Sequence, residues 1–349
     1  MSVGILGIGT AVPAGMMTQT EAADLVGAFG SETQRRDGVR ALFRRAGVEQ
    51  RASVLARGDG LSWFYEPDGA PGATIEARMG VYRAHAGALA AQACVRALER
   101  AGASVDSIRH VVTVSCTGFA APGVDLFLIE TLGLSAEVTR TNIGFMGCHA
   151  AVNALRVAKG LADGGGRVLV CCVELCTLHL CGGGGNGRVP GALFGDGAAA
   201  VVVGESGDGG RAIHSTASVV VPGTADLMSW HVGDHGFGMY LSPKVPEVLA
   251  EFVPGWVDRW LAGLGLSRQA VGSWAIHPGG PRVLGALGRG LGLGEESLAA
   301  SREVLRTHGN MSSGTMLFIV EALLQGGATG PMVGLAFGPG LGGEGVLIG

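Results

Sequence analysis

The chain repeats one short pattern, once near its middle and once at its end. Leu193-Phe-Gly-Asp-Gly runs into an apolar segment that closes at Gly204, and Ala336-Phe-Gly-Pro-Gly runs into another that closes at Gly349. Upstream of each pattern lie a turn, a helical stretch, a glycine-rich break and a strand-like run. A chain of 349 residues is long enough for two units that each bury a core. The sequence therefore predicts two similar halves, residues 1–207 and 208–349, with a cleft where they pack together.

Short apolar runs typical of β-strands alternate with longer stretches typical of helices, which predicts an α/β fold. The predicted strands are Val3–Ile8, His110–Val114, Val168–Val173, Ala198–Val203, Ser273–Ile276, Met332–Ala336 and Gly345–Ile348. The predicted helices include Thr20–Phe29, Gly38–Arg45, His85–Ala101, Gly123–Leu132, Cys148–Leu161, Val245–Leu264, Pro281–Gly288 and Thr315–Leu324.

Charge and hydropathy argue against several classes of protein. The net charge of −4 lacks the basic excess of a nucleic-acid-binding protein. Charged residues make up only 15% of the chain and apolar residues 47%, which favours an oligomer that covers part of its surface. The first residues have no basic segment of the kind that opens a signal peptide, and the best candidate for a membrane span, 168–180, is interrupted by Glu174. We therefore expect a cytoplasmic protein.

The seven cysteines fit reduced thiols better than a disulfide framework, because their number is odd. Four of them cluster at Cys171, Cys172, Cys176 and Cys181, but they include no Cys-x-x-Cys pair. The first two also fall in a run typical of a buried strand. A zinc or iron–sulfur site is therefore disfavoured, and no metal is expected.

Cys148 is the strongest candidate for a reactive residue. It lies in Thr141-Asn-Ile-Gly-Phe-Met-Gly-Cys-His-Ala-Ala150, where a glycine-containing turn leads into a stretch typical of a helix that is apolar on nearly all sides. A thiol at a buried helix N-terminus faces unpaired backbone N–H groups, which stabilise the nucleophilic thiolate. A structural cysteine that packs as a small apolar side chain is the alternative.

A thiolate nucleophile needs a proton partner and donors for an oxyanion. His277 follows a predicted strand and precedes Pro-Gly-Gly, so its ring projects from a strand end. Asn310 lies in a turn that occupies, in the second half, the place of the cysteine turn in the first. His149 neighbours Cys148 but points roughly 100° away from it on a helix, and His308 is a less well directed base. A hydrogen-bonded structural histidine and a helix-capping asparagine remain the alternatives.

These segments resemble the signatures of the type III polyketide synthases, the chalcone/stilbene synthase family. The matching runs are Gly-Phe-Met-Gly-Cys148, Trp-Ala-Ile-His277-Pro-Gly-Gly-Pro, His-Gly-Asn310-Met-Ser-Ser and Phe337-Gly-Pro-Gly-Leu. The resemblance extends from the first strand to the last residue. The residues within the motifs are similar to those of bacterial alkylresorcinol and alkylpyrone synthases. It implies a thiolase-like fold, with two βαβαβαββ halves in a five-layered α-β-α-β-α arrangement, and a homodimer.

The resemblance also implies the chemistry. An acyl-CoA starter would be loaded on Cys148, extended by decarboxylative Claisen condensation with malonyl-CoA and cyclised to an alkylresorcinol or alkylpyrone. His277, as an imidazolium, would pair with Cys148 and, together with Asn310, stabilise the enolate. CoA thioesters are the implied substrates, and no cofactor is expected.

Further site residues are carried over by position. Phe194 matches a gatekeeper phenylalanine, and Met239 replaces a second one. Small residues at Ala120 and Ala121, with Met239 and an otherwise apolar lining, predict a long aliphatic starter. The remaining predicted pocket residues are Cys116, Thr117, Cys176, His179, Phe337, Gly338 and Pro339. The predicted contacts for the CoA phosphates are Arg36, Arg40, Arg44 and Arg45, although a solvated helix face explains them equally well.

Three other functions deserve comparison. A ketoacyl synthase III-type enzyme shares the implied fold and triad but usually carries His-Gln-Ala-Asn where this chain has His277-Pro-Gly-Gly. A papain-like cysteine hydrolase fits the order Cys, His, Asn, but the chain lacks the Cys-Gly-x-Cys-Trp surround of those enzymes. A non-catalytic thiolase-fold protein would not need all three polar residues.

Overall fold

A nine-stranded mixed sheet runs through both halves of the chain. The computed structural model describes residues 2–28, 33–55, 72–180, 188–207 and 210–349, without the side chains of 27–28, 33–36 and 188. The strands are β1 Val3–Ala11, β2 Met16–Thr18, β3 Gln50–Ala52, β4 Ile108–Ser115, β5 Thr139–Gly144, β6 Arg167–Leu175, β7 Asp196–Glu205, β8 Arg211–Val220, β9 Met228–Gly233, β10 Gly236–Leu241, β11 Ser273–Ile276, β12 Met332–Gly338 and β13 Gly342–Ile348. The helices are α1 Gln19–Ala28, α2 Thr33–Arg45, α3 Ile75–Ala101, α4 Val124–Leu132, α5 Ala150–Ala162, α6 Arg188–Leu193, α7 Val245–Ala262, α8 Pro281–Leu291, α9 Glu295–His308 and α10 Thr315–Gln325.

The strand order shows the internal repeat directly. The sheet runs β11-β12-β13-β8-β1-β7-β6-β4-β5. In the first half, β1, β7 and β6 pair antiparallel, and β4 is then added parallel to β6. In the second half, β8, β13 and β12 pair antiparallel, and β11 is added parallel to β12. The two half-sheets join only where Gly4 and Ile5 of β1 meet Ala212 and Arg211 of β8.

Helices cover and separate the half-sheets in five layers. α5 and α10 lie in the middle, in one core that takes buried side chains from strands of both half-sheets. α3 and α4 pack on the outer face of the first half-sheet, and α7 and α8 on the outer face of the second. The predicted α-β-α-β-α arrangement of the thiolase-like fold is confirmed. The predicted division between residues 207 and 208 falls in the connection from β7 to β8.

The second half departs from the predicted βαβαβαββ order: β9 and β10 are inserted between β8 and α7, two helices instead of one follow β11, and one strand is missing. Within residues 210–349, all of which are described, no strand forms between α9 and α10. The chain instead makes a single bridge from Asn310 to Phe194 of the first half. Gly309 precedes this bridge at a φ of 72°, which turns the chain away from an extended path. The place of a strand is therefore taken by a turn that faces the other half.

The geometry of β6 separates the side chains of Cys171 and Cys172, although the two residues are adjacent in the sequence. Along β6, Val170 and Cys172 point into the central layer, whereas Cys171 and Val173 point into the outer layer. Side chains alternate between the two faces of a strand, so adjacent cysteines lie on opposite sides of the sheet. Cys181 lies outside the described residues. In the described part of the chain, no three histidine, cysteine or acidic side chains could hold a metal ion.

The structure contains elements that the sequence did not predict or predicted with other bounds. The helix α3 begins at Ile75, ten residues before its predicted start at His85. At its N-terminus Thr74 accepts a hydrogen bond from the backbone of Ala77, which caps the helix. β5 was not predicted because it carries no alternating apolar pattern and is almost entirely exposed. None of the helices in the described ranges is long and apolar enough to cross a membrane.

Candidate active site

Cys148, His277 and Asn310 line one narrow cavity, with a volume of about 30 Å³, between the two halves. They reach it from three segments: the turn before α5, the end of β11 and the turn before α10. Phe194, Met239 and Phe337, which were predicted for the pocket, line the same cavity. The other lining residues are Val189, Pro190, Leu193, Met228, Leu241, Val245, Leu249, Gly279 and Val283. The three polar groups thus face an apolar space.

A tight turn presents the Cys148 thiol. Phe145 and Gly147 have φ angles of 59° and 92°, and the Ala150 N–H donates to the Gly147 carbonyl at 3.1 Å. A β-carbon on Gly147 would lie 2.2 Å from Cδ of Pro339, so only glycine fits at this position. Cys148 therefore lies in the turn immediately before the helix, two residues before the first residue of α5.

The Asn310 carboxamide has a fixed orientation. Its Oδ1 accepts a hydrogen bond from the Ser312 backbone N–H at 2.8 Å and another from Thr315 Oγ1 at 3.4 Å. The amide nitrogen is therefore the end left to donate. The side chains of Asn310 and Ser312 both hydrogen-bond to Cys148. The backbone of Asn310 is anchored to the first half, because its N–H donates to the Leu193 carbonyl at 2.8 Å.

The imidazole of His277 faces the cavity without a hydrogen-bond partner among the described residues. The backbone N–H of His277 continues the β11–β12 ladder by donating to the Leu335 carbonyl at 2.8 Å. Its ring is buried, and neither Nδ1 nor Nε2 has a hydrogen-bond partner among the described residues. Leaving a buried polar group unpaired is costly. A ring in this state is suited to bind a group that enters the cavity.

Burial controls the charges of this site. Desolvation raises the pKa of Cys148 to about 12, against the hydrogen bonds from Ser312 and Asn310, which lower it. Desolvation, with a smaller contribution from His149, lowers the pKa of His277 to about 3. At Cys148 burial therefore opposes the hydrogen bonds that favour the thiolate, and the thiolate expected from the sequence stays a prediction. Because both groups face the same apolar cavity, a thiolate at Cys148 and an imidazolium at His277 would stabilise each other and offset their desolvation.

Comparison with known proteins identifies this architecture. Residues 2–207 match the family model described as chalcone and stilbene synthases, N-terminal domain, and residues 212–349 match the corresponding C-terminal domain. The chain belongs to the chalcone and stilbene synthase family, the type III polyketide synthases. Enzymes of this family are acyltransferases, and the resemblance recognised from the sequence is confirmed.

Relatives and solved structures agree over nearly the whole chain. The 3,5-dihydroxyphenylacetyl-CoA synthase of Streptomyces toyocaensis is 34% identical, across 94% of this chain and 84% of that protein. The alpha-pyrone synthesis polyketide synthase-like Pks18 of Mycobacterium tuberculosis is 33% identical, across 98% and 90%. The crystal structure of PKS-I from the brown alga Ectocarpus siliculosus superposes with a TM-score of 0.93 at 30% identity, across 99% of this chain and 98% of that one.

Six residues predicted for the pocket of this type III polyketide synthase do not line this cavity. Cys116, Thr117, Cys176 and His179 are buried, but the structure does not bring them to the cavity lining. The ring of Trp230 packs near both Phe194, which lines the cavity, and His179, which does not. Its centroid is 6.1 Å from that of Phe194 and 6.0 Å from that of His179. The indole N–H of Trp230 donates to the Cys116 carbonyl at 3.0 Å and holds the ring there. Gly338 and Pro339 also lie outside the lining, next to Phe337.

Glu174 is a further residue of the site, and it was not predicted from the sequence. Its buried carboxylate accepts hydrogen bonds from the Cys116 backbone at 2.9 Å, from Thr117 Oγ1 at 2.7 Å and from the Ser313 hydroxyl. Desolvation raises its pKa. The carboxylate ties the end of β6 to the turn that carries Asn310. A lone acidic residue inside an otherwise apolar strand was the available signal, because such residues are rarely buried without partners.

Of the four arginines predicted for CoA, three have described side chains, and none of these three lines the cavity. Arg40 pairs with Asp24 at 2.7 Å on the surface, Arg44 and Arg45 are exposed, and the side chain of Arg36 lies outside the described part. Their helix, α2, packs against α6, which supplies Leu193 and its neighbours to the cavity wall. A CoA contact at this helix stays a prediction.

The paired ionisation of Cys148 and His277 can be tested by alkylation. Replacing His277 with alanine removes the cation that accompanies the thiolate, so the thiolate forms only at higher pH. We expect the pH midpoint for alkylation of Cys148 by iodoacetamide, followed by peptide mass spectrometry, to rise by at least about one unit. His308→Ala, away from the cavity, should leave the midpoint unchanged. Equal midpoints in the wild type and in His277→Ala would contradict the pairing.

Proposed function

We propose that this type III polyketide synthase loads an acyl group from an acyl-CoA on Cys148, extends it with malonyl-CoA and cyclises the product to an alkylresorcinol or alkylpyrone. The observation that carries the proposal is the shared apolar cavity, in which a thiol, a carboxamide donor and an unpartnered imidazole converge. The names of two relatives, an alpha-pyrone synthase and a 3,5-dihydroxyphenylacetyl-CoA synthase, support a cyclised polyketide as the product.

In the loading step, the Cys148 thiol gives its proton to His277 as the sulfur attacks the thioester carbon. The new carbon–sulfur bond forms while the thioester oxygen gains negative charge, which the Asn310 amide donor stabilises. The bond to the CoA sulfur then breaks, and the CoA thiolate leaves with the proton that His277 holds. The acyl group remains on Cys148, and the imidazole is neutral again.

In the extension step, the thioester oxygen of malonyl-CoA accepts hydrogen bonds from His277 and Asn310. Loss of CO₂ leaves its bonding electrons on an enolate, whose oxygen carries the developing charge. Donors placed before the reaction in a water-poor cavity stabilise that charge more than water does. The enolate carbon attacks the thioester carbon on Cys148, forms the new carbon–carbon bond and releases the cysteine thiolate.

We propose a long aliphatic acyl group as the starter, as expected from the sequence. The lining is apolar, as an aliphatic chain requires, but a volume of about 30 Å³ is far below that of ordinary ligand pockets, so any acyl chain needs neighbouring side chains to move. The flexible side chains of Met228 and Met239 can give part of that space. Trp230, whose ring centroid lies 6.1 Å from that of Phe194, is the side chain that we expect to limit the length of the chain.

The homodimer is also part of the proposal. Three large apolar side chains, Phe119, Phe127 and Met146, are at least 40% exposed. Residues 118–125 line an open hollow of about 640 Å³ on the same part of the molecule. Apolar surface of this kind is typical of a subunit interface, and the second copy of the chain is the occupant that the family favours.

The CoA contacts are also part of the proposal. The arginines of α2 are proposed to bind the CoA phosphates.

Analytical ultracentrifugation tests the dimer. We expect the wild type to sediment as a dimer and Phe119→Asp to shift it toward the monomer, because a buried charge at the interface is left unpaired. Val232→Asp, on an exposed hairpin tip, is the matched control and should leave the dimer intact. A monomeric wild type at micromolar concentration would overturn the proposal.

Asn310→Ala separates loading from decarboxylation. Both steps use the cavity, but the enolate depends more on the amide donor than does the attack of the thiol. We expect release of CO₂ from malonyl-CoA to fall about 10²-fold or more, while acyl loading of Cys148, read by intact mass, falls much less. Cys148→Ala should abolish loading. Equal losses of both steps in Asn310→Ala would contradict the role given to the amide.

Trp230→Ala tests the size limit. Removing the indole extends the cavity toward His179, so we expect longer acyl-CoA starters to be accepted and more malonyl units to be added. Mass spectrometry of products from a panel of acyl-CoAs measures both. Trp260→Ala is the control, because Trp260 lies on α7 and donates to Ser215 Oγ away from the cavity. An unchanged product spectrum in Trp230→Ala would show that the indole does not limit the chain.

A further inference from the structure

The residues on either side of Cys148 both hold the same loop of the second half. This loop, Gly338–Gly342, connects β12 to β13. Gly147 packs against Pro339, and the ring of His149 packs against the two terminal glycines of the loop. A β-carbon on Gly338 would lie 2.5 Å from His149 Cδ2 and 2.9 Å from its Nε2, and one on Gly342 would lie 3.2 Å from Nε2. The imidazole therefore fills the space that side chains at these positions would need.

A buried chain of hydrogen bonds fixes the His149 ring. Nδ1 of His149 lies 2.9 Å from Oδ1 of Asn153, whose Nδ2 donates to Oε1 of Glu344 at 3.0 Å. Since the carboxylate can only accept, the oxygen of the asparagine faces the histidine, and Nδ1 is the donor. Glu344 is buried and also accepts from Ser218 Oγ at 2.8 Å and from Arg156. The chain thus runs from α5 of the first half to β13 and β8 of the second.

The loop continues directly from a wall of the cavity. Phe337, which lines the cavity together with Cys148, is the residue before Gly338. Its position relative to the sulfur therefore depends on where the loop rests. The two contacts that set this resting position come from Gly147 and His149, the neighbours of Cys148 in sequence. A shift of the loop would move Phe337 and the nucleophile relative to each other.

We propose that His149 is a positioning residue, which seats the Gly338–Gly342 loop and thereby sets the distance between the Phe337 wall and the Cys148 thioester. The inference rests on the proposed function, since that wall confines the growing polyketide. His149 does not touch the substrate. It acts by holding the wall, and small displacements of reacting groups change rates strongly, by up to about 10²-fold for 1 Å.

A double-mutant cycle tests this contact. Gly338→Ala places a methyl group inside the His149 ring, so we expect its kcat to fall at least tenfold, with acyl loading of Cys148 still detectable. His149→Ala removes the ring and should broaden the distribution of product chain lengths. In the double variant His149→Ala/Gly338→Ala the clash with the ring is gone, and only an approach of 3.2 Å to the Met146 carbonyl oxygen remains. We therefore expect kcat to recover about tenfold over Gly338→Ala alone.

Two controls keep the test decisive. Gly334→Ala on β12 clashes instead with Val346 and Met316, so His149→Ala should not rescue it. His149→Phe keeps the ring but loses the hydrogen bond to Asn153, and it should fold normally while shifting the product ratio. Failure of the double variant to recover, or a wild-type product ratio in both His149 variants, would overturn the proposal.

The proposed function and the positioning role fail in different ways. Absence of CO₂ release from malonyl-CoA in the wild type would reject the function alone. The same cycle can then be read from thermal unfolding and from the alkylation rate of Cys148, neither of which needs turnover. Additive effects of His149→Ala and Gly338→Ala in both measurements would reject the contact.

Discussion

The burial of two helices between two half-sheets decides where the sulfur and the carboxamide in the cavity lie. α5 and α10 share one core with strands of both half-sheets. Cys148 comes just before α5, and Asn310 lies in the turn that leads into α10. Because the core is close-packed around both helices, neither can slide without opening cavities on both sides. The arrangement of sulfur and carboxamide is therefore set by the centre of the fold, although both groups belong to turns.

The same burial explains how one small cavity can serve several steps. A thiolate, a tetrahedral oxyanion and an enolate each place one negative charge near the same donors. The region is buried and its lining is otherwise apolar, so the His277 ring and the Asn310 amide are the polar partners that it offers to that charge. Desolvation disfavours the isolated charges of Cys148 and His277, so each charge needs an opposite charge or a hydrogen-bond donor beside it.

The fold and the three polar cavity residues could be predicted because their signals are local. Strands buried on both faces carry continuous apolar runs, and the repeated glycine pattern marks equivalent places in both halves. Pocket size is different, since it depends on how side chains from distant segments pack. Nothing around Trp230 in the sequence indicates that its ring separates Phe194 from His179. The pKa of Cys148 depends on packing in the same way: the helix N-terminus is visible in the sequence, but the degree of burial that raises the pKa is not.

Two buried carboxylates show how the halves are kept in register. Glu174 of the first half accepts from Ser313 of the second, beside the Asn310 turn, and Glu344 of the second half accepts from Asn153 and Arg156 on α5, beside Cys148. Burying a carboxylate costs free energy unless its oxygens are fully hydrogen-bonded. Each of the two carboxylates therefore favours the placement of the two halves in which all of its donors are within reach. These polar links add to the apolar packing of the central helices. They act directly at the two turns that carry Cys148 and Asn310, where the packed helices begin.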